Sequence, residues 1–154
     1  MNIAIIGAGP VGSHAARLLC EKGHSVSLLE QHATVGSPIQ CTGLLTSTFD
    51  EFNIPMSRFL VNRTKNIVVK TPSRFVHFSN QNEYVVCRRK FDIYMVNRAV
   101  DAGASLFLNH HFVKRNGSKS ILVKDKTEGK VKEIHFDAII GADGPLSKTA
   151  KEFG

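Results

Sequence analysis

At 154 residues, 42% hydrophobic and 21% charged, the chain has the length of one domain with a sizeable core and an ordinary globular composition. No apolar run approaches the roughly 20 residues that span a bilayer, and a strand begins beside Met1 with no room for a signal peptide, so the sequence reads as cytoplasmic. The net charge of +7 calls for an anionic partner, yet the basic excess from Lys114 onward alternates with acids in Lys124-Asp125-Lys126-Thr127-Glu128 and Lys130-Val131-Lys132-Glu133. That alternation reads as the solvated face of a hairpin. Without an aromatic-basic stacking motif it argues against nucleic acid and leaves phosphates or an anionic membrane surface.

The chain opens with Ile3 to Ile6, a β-branched apolar run of the kind buried on both faces of a parallel sheet. Gly7, Gly9 and Gly12 follow as GxGxxG, and the apolar pattern from Val11 then takes helical spacing. In this motif Gly7 makes the tight turn, Gly9 lets the backbone approach a pyrophosphate, and Gly12 brings helix and sheet together. Ala8, Pro10 and Val11 complete the turn, with Pro10 suited to the first helical position. The helix is expected to end at Gly23, and a second strand to run from Ser25 to Leu29. Glu30 stands 18 residues beyond Gly12, close to the roughly 20-residue offset of the acid that accepts ribose hydroxyls. Ala16 and Gly23 extend the pattern, and the whole reads as a dinucleotide site.

Residues 31–47 form a Gly, Ser, Thr and Pro-rich loop that begins with Gln31 at the adenosine end and carries Cys41-Thr42-Gly43. A buried structural thiol and a functional one both remain open for Cys41. The three cysteines and seven histidines form no CxxC or other ligand spacing, so no metal is implied, and buried thiols are the default reading. Phe49 to Phe59 reads as short helix or irregular chain. Ile67 to Lys70, Phe75 to Phe78 and Tyr84 to Cys87 read as an antiparallel meander with turns at Pro72-Ser73 and Asn80-Gln81-Asn82.

Arg88 to Ala102 is a second helix, with Phe91, Tyr94, Met95, Ala99 and Ala102 or Val100 facing the sheet, and Gly103 ends it. Leu106 to Leu108 is expected to rejoin the parallel sheet, with Phe112 and Val113 closing the same strand. Ile121 to Lys124 and Val131 to Phe136 make a meander over one face. Asp137 to Ile140 is the last strand, and Pro145 is placed to open a helix.

Three separated stretches, GAGPVG with Glu30, Arg88-Arg89-Lys90-Phe91-Asp92, and GADGPLS from Gly141 to Ser147, resemble the FAD-dependent oxidoreductases of the para-hydroxybenzoate hydroxylase fold. Within them, GSPIQCTGLL from Gly36 to Leu45 and the form of CRRKFD are similar to the geranylgeranyl reductase family. The resemblance implies an α/β, Rossmann-like FAD-binding domain with a parallel sheet and a β-meander crossover. Residues 1–48 and 88–154 would form it, and residues 49–87 would start a small antiparallel substrate-domain sheet. It places the FAD pyrophosphate on Gly7 to Gly12 and the adenosine ribose on Glu30. Arg88 is assigned to the flavin phosphate or ribityl region, Phe112 or Val113 to adenine, and Asp143 with Gly144 to the pyrophosphate and ribityl chain. Cys41, followed by Thr42, matches a cysteine beside the isoalloxazine. Thr42-Gly43-Leu44 departs from the acid and glycine that many of these reductases carry, and their later GD motif is absent from this sequence.

The implied activity is reduction of prenyl C=C bonds in a lipid, with NAD(P)H or ferredoxin as external reductant. An aromatic monooxygenase or halogenase on the same fold is the first alternative, and a cofactor-binding module without turnover by itself is the second. Expected partners are a small-molecule or prenyl-lipid substrate, the C-terminal half of such a reductase or a self-associating copy, and a membrane surface touched peripherally.

Overall fold

Alternation along the first strands decides the layering. The computed structural model describes residues 1–79 and 82–154. In β1 (Asn2–Ile6) Ile3 and Ile5 face one side while Ala4 and Ile6 face the other, and all four are buried. In β2 (Ser25–Leu29) Val26 and Leu28 join Ile3 and Ile5, and Leu29 joins Ile6. A strand buried on both faces needs a layer on each, and the chain supplies them.

Helices α1 (Pro10–Glu21) and α2 (Arg88–Asp101) cover the first face through Ala16, Val96 and Ala99. The other face carries an antiparallel sheet of β9 (His110–Arg115), β10 (Ser120–Asp125) and β11 (Lys130–His135), packed through Phe112, Ile121, Val123 and Phe136. The middle layer is a parallel sheet in the order β12 (Ala138–Gly141), β1, β2, β8 (Ser105–Phe107). It is the doubly covered α/β architecture expected of a Rossmann-like domain, with the ligand-binding crevice beyond the C-terminal strand ends. No helix among the described residues is long and apolar enough to cross a membrane.

A third cluster lies beyond this stack. Short strands β3 (Leu44–Leu45), β4 (Leu60–Thr64) and β7 (Glu83–Val86) pair antiparallel in the order β3, β7, β4. Phe59, Tyr84 and Val86 from this region meet Phe91 and Met95 of α2. The Phe59 and Phe91 ring centroids are 4.8 Å apart. Strands β5 (Ile67–Lys70) and β6 (Phe75–Phe78) form a separate hairpin.

Several expectations require correction. Phe112 and Val113 do not close the strand containing Leu106: the chain turns at Asn109, φ +60°, and β9 joins the antiparallel sheet. Among the described residues, β7 pairs with β3 and β4 rather than continuing a meander from β6. The expected turn at Asn80 and Gln81 lies outside the described residues. The short helical stretch expected from Phe49 is present as a 3-10 helix over Ser47–Phe52. The inner face of α2 is Phe91, Asp92, Met95, Val96 and Ala99, with Val100 exposed. The last helix, α3 (Lys148–Phe153), opens after the Ser147 N-cap rather than at Pro145. Asp125 is buried within the hairpin that read as a solvated face, where it accepts from Lys132 Nζ at 2.8 Å.

Candidate cofactor site

The turn after β1 is fixed by close backbone approach. Gly7 has φ +103°, and a Cβ there would lie 2.3 Å from the Ala142 carbonyl oxygen. Its N–H donates to Leu29 O, while the Ala142 N–H donates to Ile6 O, both at 2.8 Å, so the turn is held by strands on either side. A Cβ on Gly12 would fall 2.0 Å from Gly7 O. Gly9 differs: its Cβ would meet no heavy atom within 4 Å. The backbone there borders open space.

That space is a cleft of about 630 Å³. Its floor is Gly7 to Val11, and Leu29 to His32, Ala142 to Leu146, and Arg88 with Asp92 also line it. No side chain caps α1, and Pro10 stands at its first turn. The free N–H groups of that turn and the positive end of the helix suit a phosphate.

Glu30 accepts from Ala8 N–H at 3.1 Å and from His32 N–H at 2.9 Å, with His32 Nδ1 2.7 Å away. These contacts fix the carboxylate at the end of β2 and leave lone pairs for ribose hydroxyls. Beside it, Gln31 accepts through its backbone oxygen from Lys126 Nζ at 2.8 Å, and its side chain shares a hydrogen bond with His111 Nδ1 at 2.9 Å. Burial, followed by the nearby charges of Lys126, Lys148 and Lys124, holds the His111 pKa below its usual value. A neutral imidazole that donates from Nδ1 to Gln31 Oε1 presents Nε2 as an acceptor, and can stack on or accept from an adenine without adding charge.

Arg88, also on the lining, donates from Nε and Nη2 to the two oxygens of Asp92 at 3.1 and 3.3 Å. Burial raises the Asp92 pKa, and the Arg88 charge opposes that rise. The pair is the i,i+4 contact of one helix, so Asp92 orients the guanidinium at the cleft. Asp143 also lines the cleft, but its carboxylate is engaged: it accepts from Ser147 Oγ at 2.6 Å, Lys148 N–H at 2.8 Å and Thr149 N–H at 3.0 Å. Burial opposes its ionisation, yet these donors, Ser147 first, hold its pKa low.

Of the residues singled out in the sequence, Gly7, Ala8, Gly9, Pro10, Val11, Glu30, Gln31, Arg88, Phe112, Asp143 and Gly144 line the cleft. Gly12 lies beneath its floor, while Cys41, Thr42 and Val113 are outside its lining. Cys41 is exposed, which overturns the buried-thiol reading. A hydrogen bond from the Gly43 backbone lowers its pKa; partial burial works against this, and Arg88 adds to the lowering. Gly36, Ser37, Pro38 and Gln40 bring the 31–47 loop along the cleft, while His32, Asp92, His110, His111 and Lys148 line it without having been assigned a role from the sequence. The signal available for Asp92 was its i,i+4 spacing from Arg88.

A family model described as an FAD binding domain matches residues 1–154. The chain belongs to the FAD-binding domain family.

Relatives of this FAD-binding domain include digeranylgeranylglycerophospholipid reductase 1 of Methanopyrus kandleri, 32% identical over 99% of this chain and 42% of that protein. An uncharacterized protein in the nifH2 5′ region of Methanosarcina barkeri is 32% identical, covering 99% of this chain and 87% of its own length. Among solved structures, a geranylgeranyl bacteriochlorophyll reductase-like protein from Thermoplasma acidophilum superposes with a TM-score of 0.80 at 27% identity, over 93% of this chain and 39% of that one. The domain therefore spans about two-fifths of the named reductases it matches. A myxobacterial FAD-dependent halogenase, TM-score 0.72 at 20% identity, shares the fold alone.

FAD is the domain's cofactor, and the residues present fit it: an uncapped helix terminus, open space over Gly9, an oriented carboxylate at Glu30 and the Arg88 guanidinium on the same lining.

Proposed function

We propose that this domain holds the FAD of a cytoplasmic reductase that saturates prenyl C=C bonds in lipids. The lining of the cleft carries the reading, since phosphate-binding backbone, Glu30 and Arg88 share one space and Arg88 also reaches Cys41. Bound FAD, reduced by a donor such as NAD(P)H or ferredoxin, supplies the hydride chemistry. The chain's own groups do the positioning. First-turn N–H groups of α1 hold the pyrophosphate, Glu30 accepts from the ribose, the Phe112 backbone borders the adenine, and Arg88 neutralises negative charge on the phosphate and ribityl side. Residues 49–87 begin the substrate-side sheet, and the remainder of a reductase, as a continuous or separate chain, would complete the wall around the flavin ring. The names of the Methanopyrus and Thermoplasma relatives support the prenyl substrate class.

The first test is flavin retention by the purified domain, followed by gel filtration and absorbance. Glu30→Ala is expected to weaken FAD binding by roughly ten- to a hundredfold, the worth of charge-assisted hydrogen bonds. Mass spectrometry of a geranylgeranyl lipid incubated with the dithionite-reduced holoprotein then reads the chemistry as a gain of two hydrogens per bond. Retained flavin with no mass gain would limit the isolated domain to carrying the cofactor.

A further inference from the structure

Charge and apolar exposure coincide on one small element away from the cleft. From Phe52 to Asn82 the sequence contains no acid, while it carries Arg58, Arg63, Lys65, Lys70 and Arg74. The β5–β6 hairpin lies within this run. Directly opposed residues of an antiparallel pair share a face. The register therefore puts Ile67 with Phe78 and Val69 with Val76 on one wholly apolar face. The other face pairs Val68 with His77 and Lys70 with Phe75, and Lys70 Nζ lies 5.2 Å from the Phe75 ring centroid. Val68, Val69, Phe75, Val76 and Phe78 are each 43% to 62% exposed. Among the described residues, β5 and β6 pair only with each other, and neither contributes to the three cores.

We propose that the β5–β6 hairpin docks on the surface of an anionic phospholipid bilayer. Burial of the apolar face at the acyl boundary removes Val69, Val76 and Phe78 from water, and long basic side chains around it reach back to lipid phosphates. A second copy of this chain fits less well, because it brings the same five cations against themselves. The proposal rests on hairpin register and charge, independently of the flavin reading.

The test is co-sedimentation of the full chain with phosphatidylcholine vesicles and with vesicles containing phosphatidylglycerol. Binding is expected only to the latter and is expected to fall as salt rises. Lys70→Glu and Arg74→Glu should each weaken it by about fivefold or more, as expected for one cation near an anionic surface. Phe78→Ser, on the apolar face, should also weaken it. These side chains are exposed, and unchanged circular dichroism verifies that each variant is folded. Lys124→Glu and Lys130→Glu, on the β10–β11 hairpin, should leave binding within about twofold. Equal loss in those controls, equal affinity for neutral vesicles, or no binding would overturn the proposal. So would a concentration-dependent dimer that Phe78→Ser abolishes, since the hairpin would then be a protein interface.

Discussion

Gly9 and Gly12 stand three residues apart in one motif and answer to different constraints. Open space over Gly9 predicts that Gly9→Val keeps the fold and loses FAD, because the new side chain fills the cradle. Gly12→Val must push against Gly7 O at 2.0 Å and should cost more than about 3 kcal/mol, read as a lower urea midpoint. Both glycines were legible from spacing. Asp92 and His32 were not, because one acts through Arg88 a helical turn away and the other through a carboxylate two residues back. Cys41 offers another residue-scale outcome. With its pKa lowered and its thiol exposed, it should react with iodoacetamide faster than Cys20, whose pKa burial raises. Arg88→Gln should slow that reaction by removing one of the causes. Peptide mass spectrometry over time measures both rates, and equal rates at Cys41 and Cys20 would count against the assignment.

Strands with a strong apolar pattern were read correctly, as in β1, β2 and β10. Strand β4 escaped notice because its sequence, Leu60-Val61-Asn62-Arg63-Thr64, buries no residue and is held mainly by pairing with β7. The break between β8 and β9 escaped for another reason: apolar residues flank Asn109 on both sides, and only its left-handed backbone separates the strands. At this scale the Asp125 cluster governs acid stability. Lys132 and the N–H groups of Glu128 and Thr127 depress the Asp125 pKa from 3.8 to about 2. A depressed folded pKa means the stabilisation is present above the unfolded value and disappears as pH falls through the folded one. Wild-type stability should therefore drop between pH 4 and pH 2 in urea melts, and Asp125→Asn should lose stability at pH 7 while flattening that acid limb. Phe59→Ala, in the third cluster, is expected to cost about 3 to 5 kcal/mol, measurable in the same melts.

For the whole molecule, the order of apolar runs and glycine turns made the three-layer plan readable, because each layer leaves its own periodicity in the sequence. The pairing of β7 with β3 was hidden, since it joins segments about 40 residues apart that carry no mutual signal. FAD, by bridging layers that otherwise touch only through the sheet, should stabilise the whole unit. At a hundred times the dissociation constant the gain is about 2.7 kcal/mol, or roughly 5 to 10 °C in Tm by differential scanning fluorimetry. An unchanged Tm in a protein that retains flavin would mean that the cofactor binds folded and unfolded chain alike. The parallel sheet also sets a timetable. Strand β1 is the first made, yet its neighbour β12 begins at Ala138, and the Ala142 carbonyl that packs on Gly7 comes later still. During synthesis the phosphate turn must wait with one flank missing until nearly the whole domain has left the ribosome, so loading of the cofactor follows synthesis of residues far along the chain from the turn it occupies.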